Sequence, residues 1–326
     1  MRAAVCTKYG PPEVLEVRER ERPELKTDGL LVRVHASVVA PSDCAYRKGE
    51  PFMLRLFSGF SRPKYVPGDL FSGAVVAVGD GVTRFAVGDE VFGAAGTSYG
   101  CHAELLGLAE TAALVKKPLE IDHAAAVSLC DGGLTALPFL RDQARLEAGQ
   151  RILIIGASGS VGTYAVQLAK HLGAHVTGVC STRNLELVRG LGADAVIDYT
   201  AEDITARDET YDVVFDAVAK SSYSSCKGIL TPRGRYLTTV PSLGIMLQML
   251  ATKLFSRHRV RFAATGLTKP AQKIADLNYL LGLLGAGRLR PVIDRRYPLE
   301  EIVEAHRYVE TGRKRGNVII EVAEPT

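Results

Sequence analysis

The chain has 326 residues, long for a single hydrophobic core, which stops growing at about 250–300 residues, and suited to two domains. With 47% hydrophobic and 23% charged residues it excludes extensive disorder. The net charge of +4 is spread along the sequence, which argues against a nucleic-acid partner.

The first 120 or so residues read as β-rich. Strand-like runs at Leu30–Ala36, Gly73–Val78 and Glu90–Gly93 are separated by Gly, Pro and Asp turns, the texture of a small barrel or sandwich. Near Asp122, a candidate N-cap, an Ala-rich segment with helical periodicity begins. From Arg151 onward strands and helices alternate. A buried strand at Ile152–Ile155 leads through a Gly-rich turn into a helix over Val161–Leu172. Strands follow at Val176–Val179, Ala195–Ile197, Asp212–Phe215, Tyr236–Val240 and Arg259–Phe262, with a helix at Asn184–Leu191. Such alternation predicts a doubly wound parallel sheet with helices on both faces. A helix near 271–285, a short helix at Leu299–Glu310 and a strand from Asn317 close the chain. The expected domains are 1–125 with 270–326, and 126–269 between them.

Cys6, Cys44, Cys101, Cys130, Cys180 and Cys226 are scattered without a CxxC pair, as free thiols in a reducing compartment are. The first residues lack the apolar run of a signal peptide, and no apolar stretch reaches the ~18 residues of a membrane span. A cytoplasmic protein without a membrane partner is expected. The apolar segment Gly244–Phe255 is too short to span, and Met246 and Met249 suit a pocket or a dimer interface.

The turn after the buried strand reads Gly156-Ala157-Ser158-Gly159-Ser160-Val161-Gly162. Its setting, strand before and helix after, is the one a dinucleotide requires. Gly159 removes the Cβ that would block backbone approach to a pyrophosphate. Gly162 allows close helix–strand packing, and the helix N-terminus offers free N–H groups. A capping turn without ligand is the bland alternative. A carboxylate about 20 residues past the glycines would bind a ribose 2′-hydroxyl and repel a 2′-phosphate. Ser181 stands there instead, with Arg183 two residues beyond and Tyr199 after the third strand. NADP(H) is therefore preferred over NAD(H), with Ser181 and Arg183 at the phosphate.

These residues and their flanks resemble the zinc-independent quinone oxidoreductase branch of the medium-chain dehydrogenase/reductase superfamily. The likeness runs through Tyr9–Leu15, Ala40-Pro41-Ser42-Asp43, Arg47-Lys48-Gly49, Gly68-Asp69, Gly88–Gly93, Leu134-Thr135-Ala136, the Gly turn and Ile293–Asn317. It implies an α/β protein: a GroES-like, β-barrel-type substrate domain from both chain ends, a Rossmann domain between, and a homodimer. Zinc-dependent relatives place their catalytic ligands at the positions of Ala40, Asp69 and approximately Asp131. Alanine cannot ligate, and zinc prefers nitrogen and sulfur donors, so no metal is expected. The four-cysteine structural zinc lobe is missing as well.

Without a Lewis acid, hydride transfer to an already electrophilic quinone or enone is the simplest reaction, because charge spreads onto oxygen. The resemblance supplies Asp43, Tyr46, Asp69 and Thr135 as cleft candidates. Each has a bland reading: Asp43 as a helix cap, Asp69 as a turn acid, Tyr46 as a packed aromatic, Thr135 as a contact to the nicotinamide side alone. Many relatives carry Asn at the Ala40 position, so one polar contact is missing here. Cys130-Asp131 is an additional pair to which the resemblance assigns no role. Arg313-Lys314-Arg315 reads as a solvated loop, with a cofactor-phosphate contact as the alternative. Two further readings stand beside the reductase: a zinc-free alcohol or carbonyl dehydrogenase, and an NADPH-binding sensor or structural protein without turnover.

Overall fold

The computed structural model describes residues 1–52, 55, 59–61, 63 and 66–323. Fifteen strands fall in chain order at β1 (Arg2–Cys6), β2 (Leu15–Glu19), β3 (Gly29–Val38), β4 (Leu70–Val78), β5 (Glu90–Ala94), β6 (Leu105–Ala109), β7 (Ala113–Lys116), β8 (Arg151–Ile155), β9 (His175–Cys180), β10 (Ala195–Asp198), β11 (Tyr211–Asp216), β12 (Leu230–Thr238), β13 (Arg259–Phe262), β14 (Ile293–Pro298) and β15 (Asn317–Glu321), counted among the described residues. The chain forms two compact units. One comprises Met1–Asp131, Lys269–Asn278 and Val292–Thr326, the other Gly132–Thr268 and Tyr279–Pro291.

In the first unit the long strand β3 is the hub. It pairs antiparallel with β4, β6 and β15, and the sheet runs in the order β14-β15-β3-β4-β5-β7. The C-terminal strand thus completes a sheet begun near the N-terminus. Val32, Val34, Phe71, Val91, Leu114, Val318 and Ile320 fill the core. The sequence pattern did not reveal β14, because its residues Asp294, Arg295 and Arg296 are polar; an edge strand beside β15 has little side-chain surface to bury.

The helix Pro41–Lys48 starts where Ala40 is extended and Pro41 occupies the first turn, and it ends at Gly49 with φ of 65°. Its inner face carries Arg47, whose side chain is 1% exposed. The guanidinium donates to the Gly10 carbonyl and Glu310, and through Nε to Nδ1 of His306 at 3.4 Å. His306 in turn lies edge-on to His102. This buried layer anchors the helix against the Ile302–Glu310 helix.

The second unit holds a wholly parallel sheet in the order β10-β9-β8-β11-β12-β13. Reading strands in order of appearance gives 3-2-1-4-5-6, the doubly wound arrangement of dinucleotide-binding proteins. The order reverses between β8 and β11, and ligands of such sheets bind beyond the carboxyl ends of the strands there. Ile152, Leu153 and Ile154 are fully buried, as expected of a strand covered on both faces. Two boundaries differ from the sequence pattern. The segment expected as helix from Asn184 opens with a tight turn at Thr182–Asn184 and becomes helical at Leu185. The expected strand at Tyr236–Val240 starts earlier, at Leu230, and stops at Thr238. Gly244–Phe255 is helical, capped by Ser242. Ile245 and Met249 pack on the core, while Met246, Leu247, Leu250 and Leu254 are exposed. No helix among the described residues is long and apolar enough to cross a membrane.

Two outcomes are expected. Arg47→Ala leaves Glu310 without its main partner and should lower unfolding free energy by ~3–5 kcal/mol in urea titrations. Burial holds His102 neutral, pushed down to about 4. Its folded value lies below the unfolded one, so the unfolded chain binds the extra proton and stability falls as pH drops from about 6.5 toward 4. The loss is about 2 kcal/mol by pH 5, and His102→Gln should remove that part of the slope.

Candidate active site

Two constellations are candidates to carry the chemistry, one in each unit. In the parallel-sheet unit, the backbone N–H groups of Gly156 and Ala157 both donate to the Val179 carbonyl of β9, at 3.1 and 3.0 Å. The turn is thereby pinned across the top of β8. Gly156 takes φ of 80°, and a Cβ on Gly162 would lie 2.1 Å from the Gly156 carbonyl oxygen. Glycine at 162 is a steric requirement of helix and strand meeting this closely. A Cβ on Gly159 would meet only the Gly156 oxygen at 3.4 Å and would otherwise project into open space. That space is where a pyrophosphate would lie against the N–H groups of Ser160, Val161 and Gly162 at the start of the Ser160–His171 helix. No side chain caps this helix.

Ser158 is buried within the turn. Its hydroxyl accepts from the side-chain amide of Asn184 at 3.0 Å, and the same amide reaches the Ser181 hydroxyl at 3.3 Å. Asn184 therefore ties the glycine turn to the loop after β9, and its buried Oδ1 has no hydrogen-bond partner among the described residues. The sequence reading took Asn184 only as a helix start; its pairing with Ser158 has no signal in the linear order. Ser181 is half-buried and Arg183 exposed at the same loop. Tyr199 is 61% exposed just beyond β10. Asp198, beside it, accepts from the Thr182 hydroxyl at 2.5 Å and from Thr200 at 2.7 Å. At the end of β11, the fully buried Asp216 accepts from Ser221 N–H at 2.8 Å and from the Tyr236 hydroxyl at 3.1 Å, shaping the loop at the sheet's carboxyl edge. Thr135 is half-buried in the Leu134–Pro138 helical segment.

The other constellation is a group of ionisable side chains inside the first unit. Asp43 lies in the first turn of its helix, and its carboxylate accepts from the Ala40 N–H at 2.8 Å. The capping role is real, but burial and the neighbouring Asp69 and Asp131 also push its carboxyl well above the usual range. Asp69 follows Gly68, whose φ of 85° and whose contact with the His102 ring leave no room for a side chain. Its backbone carbonyl accepts from Ala95 at 2.7 Å, so the turn is fastened at both ends. Desolvation raises the Asp69 carboxyl to about 6, against the opposing pull of Lys273. Lys273 is 8% exposed, and burial lowers its ammonium while Asp69 and Cys130 raise it. Cys101 and Cys130 are buried thiols pushed well above their usual range by desolvation and by Asp69.

Tyr46 is half-buried on the Pro41–Lys48 helix and stacks edge-on with Tyr99 at 5.3 Å. Lys314 corrects the reading of Arg313-Lys314-Arg315 as a solvated run. Its ammonium donates to the Gly316 carbonyl at 2.8 Å, and burial lowers it while Asp131, Asp294 and Cys44 raise it. Lys273, Lys314 and the partners of Asp131 escaped the sequence reading because they come from distant stretches of chain. Among the described residues, no three His, Cys, Asp or Glu side chains are placed to hold a metal.

Residues 26–133 match the alcohol dehydrogenase GroES-like domain family, and residues 191–320 the zinc-binding dehydrogenase family. With the two folds and the glycine turn in place, the chain belongs to the medium-chain dehydrogenase/reductase superfamily, in its quinone oxidoreductase-like branch. It is 32% identical to a chloroplastic quinone-oxidoreductase homolog of Spinacia oleracea, over 96% of this chain and 95% of that one. It is 31% identical to the chloroplastic NADPH-dependent alkenal/one oxidoreductase of Arabidopsis thaliana, over 98% of this chain and 79% of the other. The quinone oxidoreductase structure from Coxiella burnetii superposes with a TM-score of 0.89 at 30% identity, over 99% of both chains.

Asn184→Ala should loosen the clamp between turn and loop. Dinucleotide affinity is expected to fall roughly tenfold, the worth of a hydrogen bond lost at a buried site, when followed by nicotinamide fluorescence.

Proposed function

We propose that the protein is an NADPH-dependent reductase of quinones and activated alkenes that works without zinc. The observation that carries the cofactor reading is the loop after β9, where Ser181 and Arg183 stand in place of a ribose-binding acid and Ser181 is tied to the glycine turn through Asn184. Open space at Gly159 and a buried Asn184 oxygen without a partner among the described residues fit such a group. Bound there, the nicotinamide would supply a hydride. The chain's own work is to hold the pyrophosphate on the first helical turn, to orient the ribose with Ser181, and to favour the phosphorylated form through Arg183. Tyr199 is proposed to flank the adenosine end, and Thr135 the nicotinamide side.

The zinc-free reading is supported by the residues themselves. Ala40 offers no donor, and Asp69 faces the ammonium of Lys273 where a metal would need ligands. Two carboxylates without a nitrogen or sulfur donor make a poor zinc site. Asp43, Tyr46 and Asp69 are proposed to meet the acceptor, which is a small electrophile. A homodimer in the cytoplasm is the accompanying proposal, with the exposed face of the Leu243–Phe255 helix available for contact.

The test is direct. Purified protein mixed with NADPH and a panel of quinones, enones and aldehydes should oxidise NADPH with the first two classes. Turnover confined to aldehydes or ketones would mean a carbonyl reductase, and tight binding without turnover would mean a sensor or structural role. Arg183→Ala should weaken NADPH by roughly 10- to 100-fold, as loss of a charge-assisted contact does, and leave NADH nearly unchanged. Equal losses for both would remove Arg183 from the phosphate site.

A further inference from the structure

The Leu243–Phe255 helix is apolar nearly all round, its polar residues being only Gln248, Thr252 and Lys253. A helix of that composition belongs in a core or against a second apolar phase, because one apolar stripe is enough to dock a surface helix. The inner stripe is used within the unit. Ile245 and Met249 pack on the core, and the buried Thr252 hydroxyl donates to the Gln248 carbonyl at 2.8 Å and accepts from the Val260 N–H of β13 at 3.2 Å. Both ends are tied as well. The Ser242 hydroxyl accepts from Ile245 N–H at 3.1 Å, and the Arg259 guanidinium donates to the Thr252 and Ser256 carbonyls at 2.9 and 2.6 Å. The outer stripe is left over. Leu243, Met246, Leu247, Leu250, Leu254 and Phe255 are each more than half exposed, and no described residue covers them. Their helical spacing joins them into one ridge, and a contiguous apolar ridge marks an interaction surface.

The charge around this ridge has one sign. From Ala217 to Thr268 the chain carries eight Lys or Arg and no Asp or Glu. Over its whole length it has 36 acids against 40 bases, so overall composition does not explain the run. Lys253 and Arg257 are exposed at the carboxyl end of the helix. The neighbouring segment, joined to it where the Tyr223 hydroxyl meets Nδ1 of His258 at 3.1 Å, carries the exposed Lys220 and Lys227.

We propose that this face docks in the plane of an anionic lipid bilayer, with the apolar ridge among the acyl chains and Lys253 and Arg257 at the lipid phosphates. Apolar burial and attraction to anionic headgroups act together in helices that lie at an interface. At 1.5 Å per residue the helix is about 20 Å long, too short to span and suited to lying flat. Long Lys and Arg side chains beside inserted leucines keep their charge at headgroup level. A second copy of the chain fits this face less well. A two-fold contact sets a patch against itself, and Lys253 and Arg257 would find no acid within this stretch to meet them. A dimer would then form through another surface.

Cosedimentation with vesicles tests the proposal. Wild-type protein should bind phosphatidylcholine vesicles containing about 30% phosphatidylglycerol at least roughly tenfold more tightly than pure phosphatidylcholine at about 0.1 M NaCl. Near 0.5 M NaCl, where the screening length shrinks to about 4 Å, most of that difference should be lost. Lys253→Gln with Arg257→Gln should weaken binding roughly 10- to 30-fold, the worth of two headgroup contacts. Leu247→Gln with Leu250→Gln leaves the charge unchanged and should weaken it at least roughly tenfold. All four side chains are exposed, so both pairs of substitutions should keep the wild-type thermal midpoint. The chain contains no tryptophan, so Leu250→Trp reports its own surroundings, and its emission should move to the blue on the anionic vesicles. Absence of vesicle binding by the wild type would overturn the proposal, as would binding that survives the leucine pair or Trp emission unmoved by vesicles. Binding to soluble polyglutamate as tight as to the vesicles would assign the face to an acidic protein instead. A dimer in ultracentrifugation that Leu247→Gln with Leu250→Gln dissociates would assign it to a second copy and equally overturn the lipid proposal. None of these outcomes depends on the reductase reading.

Discussion

Charge held out of water organises the first unit. Asp69 and Asp131 disfavour the ionisation of Asp43, Asp131 disfavours that of Asp69, and burial adds to the cost for both Asp43 and Asp69. The Ala40 N–H and Lys273 offset part of that cost, and hydrogen bonds from Ala95 and Cys101 fasten the backbone at Gly68 and Asp69. Gly68, wedged against His102, and the ladder from Val66 to Gly100 hold that turn. His102, His306 and Arg47 in turn hold the helix that carries Asp43 and Tyr46. The network is only partly satisfied: Nδ1 of His102 and Nε2 of His306 have no hydrogen-bond partner among the described residues, and the bonds of Arg47 and of His102 Nε2 hold it in place.

The parallel-sheet unit depends on a different constraint, close approach of backbone to backbone. Gly162 lets the helix start within contact of the strand end, and Gly178 lets Val188 pack where a Cβ would lie 2.5 Å from it. Because the helix sits so near, its first N–H groups end up beside the mouth of the turn. Asn184 then sets the distance between this anion-binding end and the loop of Ser181 and Arg183. In the proposed function, the turn for the pyrophosphate and the loop for the ribose are therefore joined by one side-chain amide. Two units with unrelated physics, one electrostatic and one steric, share a single chain.

Much of this was legible in linear order. The strand–turn–helix around Gly156–Gly162, the parallel alternation after Arg151 and the capping by Asp122 all depend on neighbours within a few residues, so local pattern suffices. The polar edge strand β14 was not legible, since it buries too little to show a period. Lys314 looked like one member of a solvated basic run, yet it faces Asp131 and Asp294. A charge run reveals composition but not which side chain turns inward.

The sequence by itself determined the fold class, the site of the dinucleotide turn and the absence of an acid at position 181, because each follows from residue type at a fixed local spacing. Only the tertiary structure decided what surrounds Asp69. Lys273, whose ammonium influences Asp69, stands 204 positions later in the chain. The fold brings them together, and the energy of a buried charge depends on distance in space rather than along the chain.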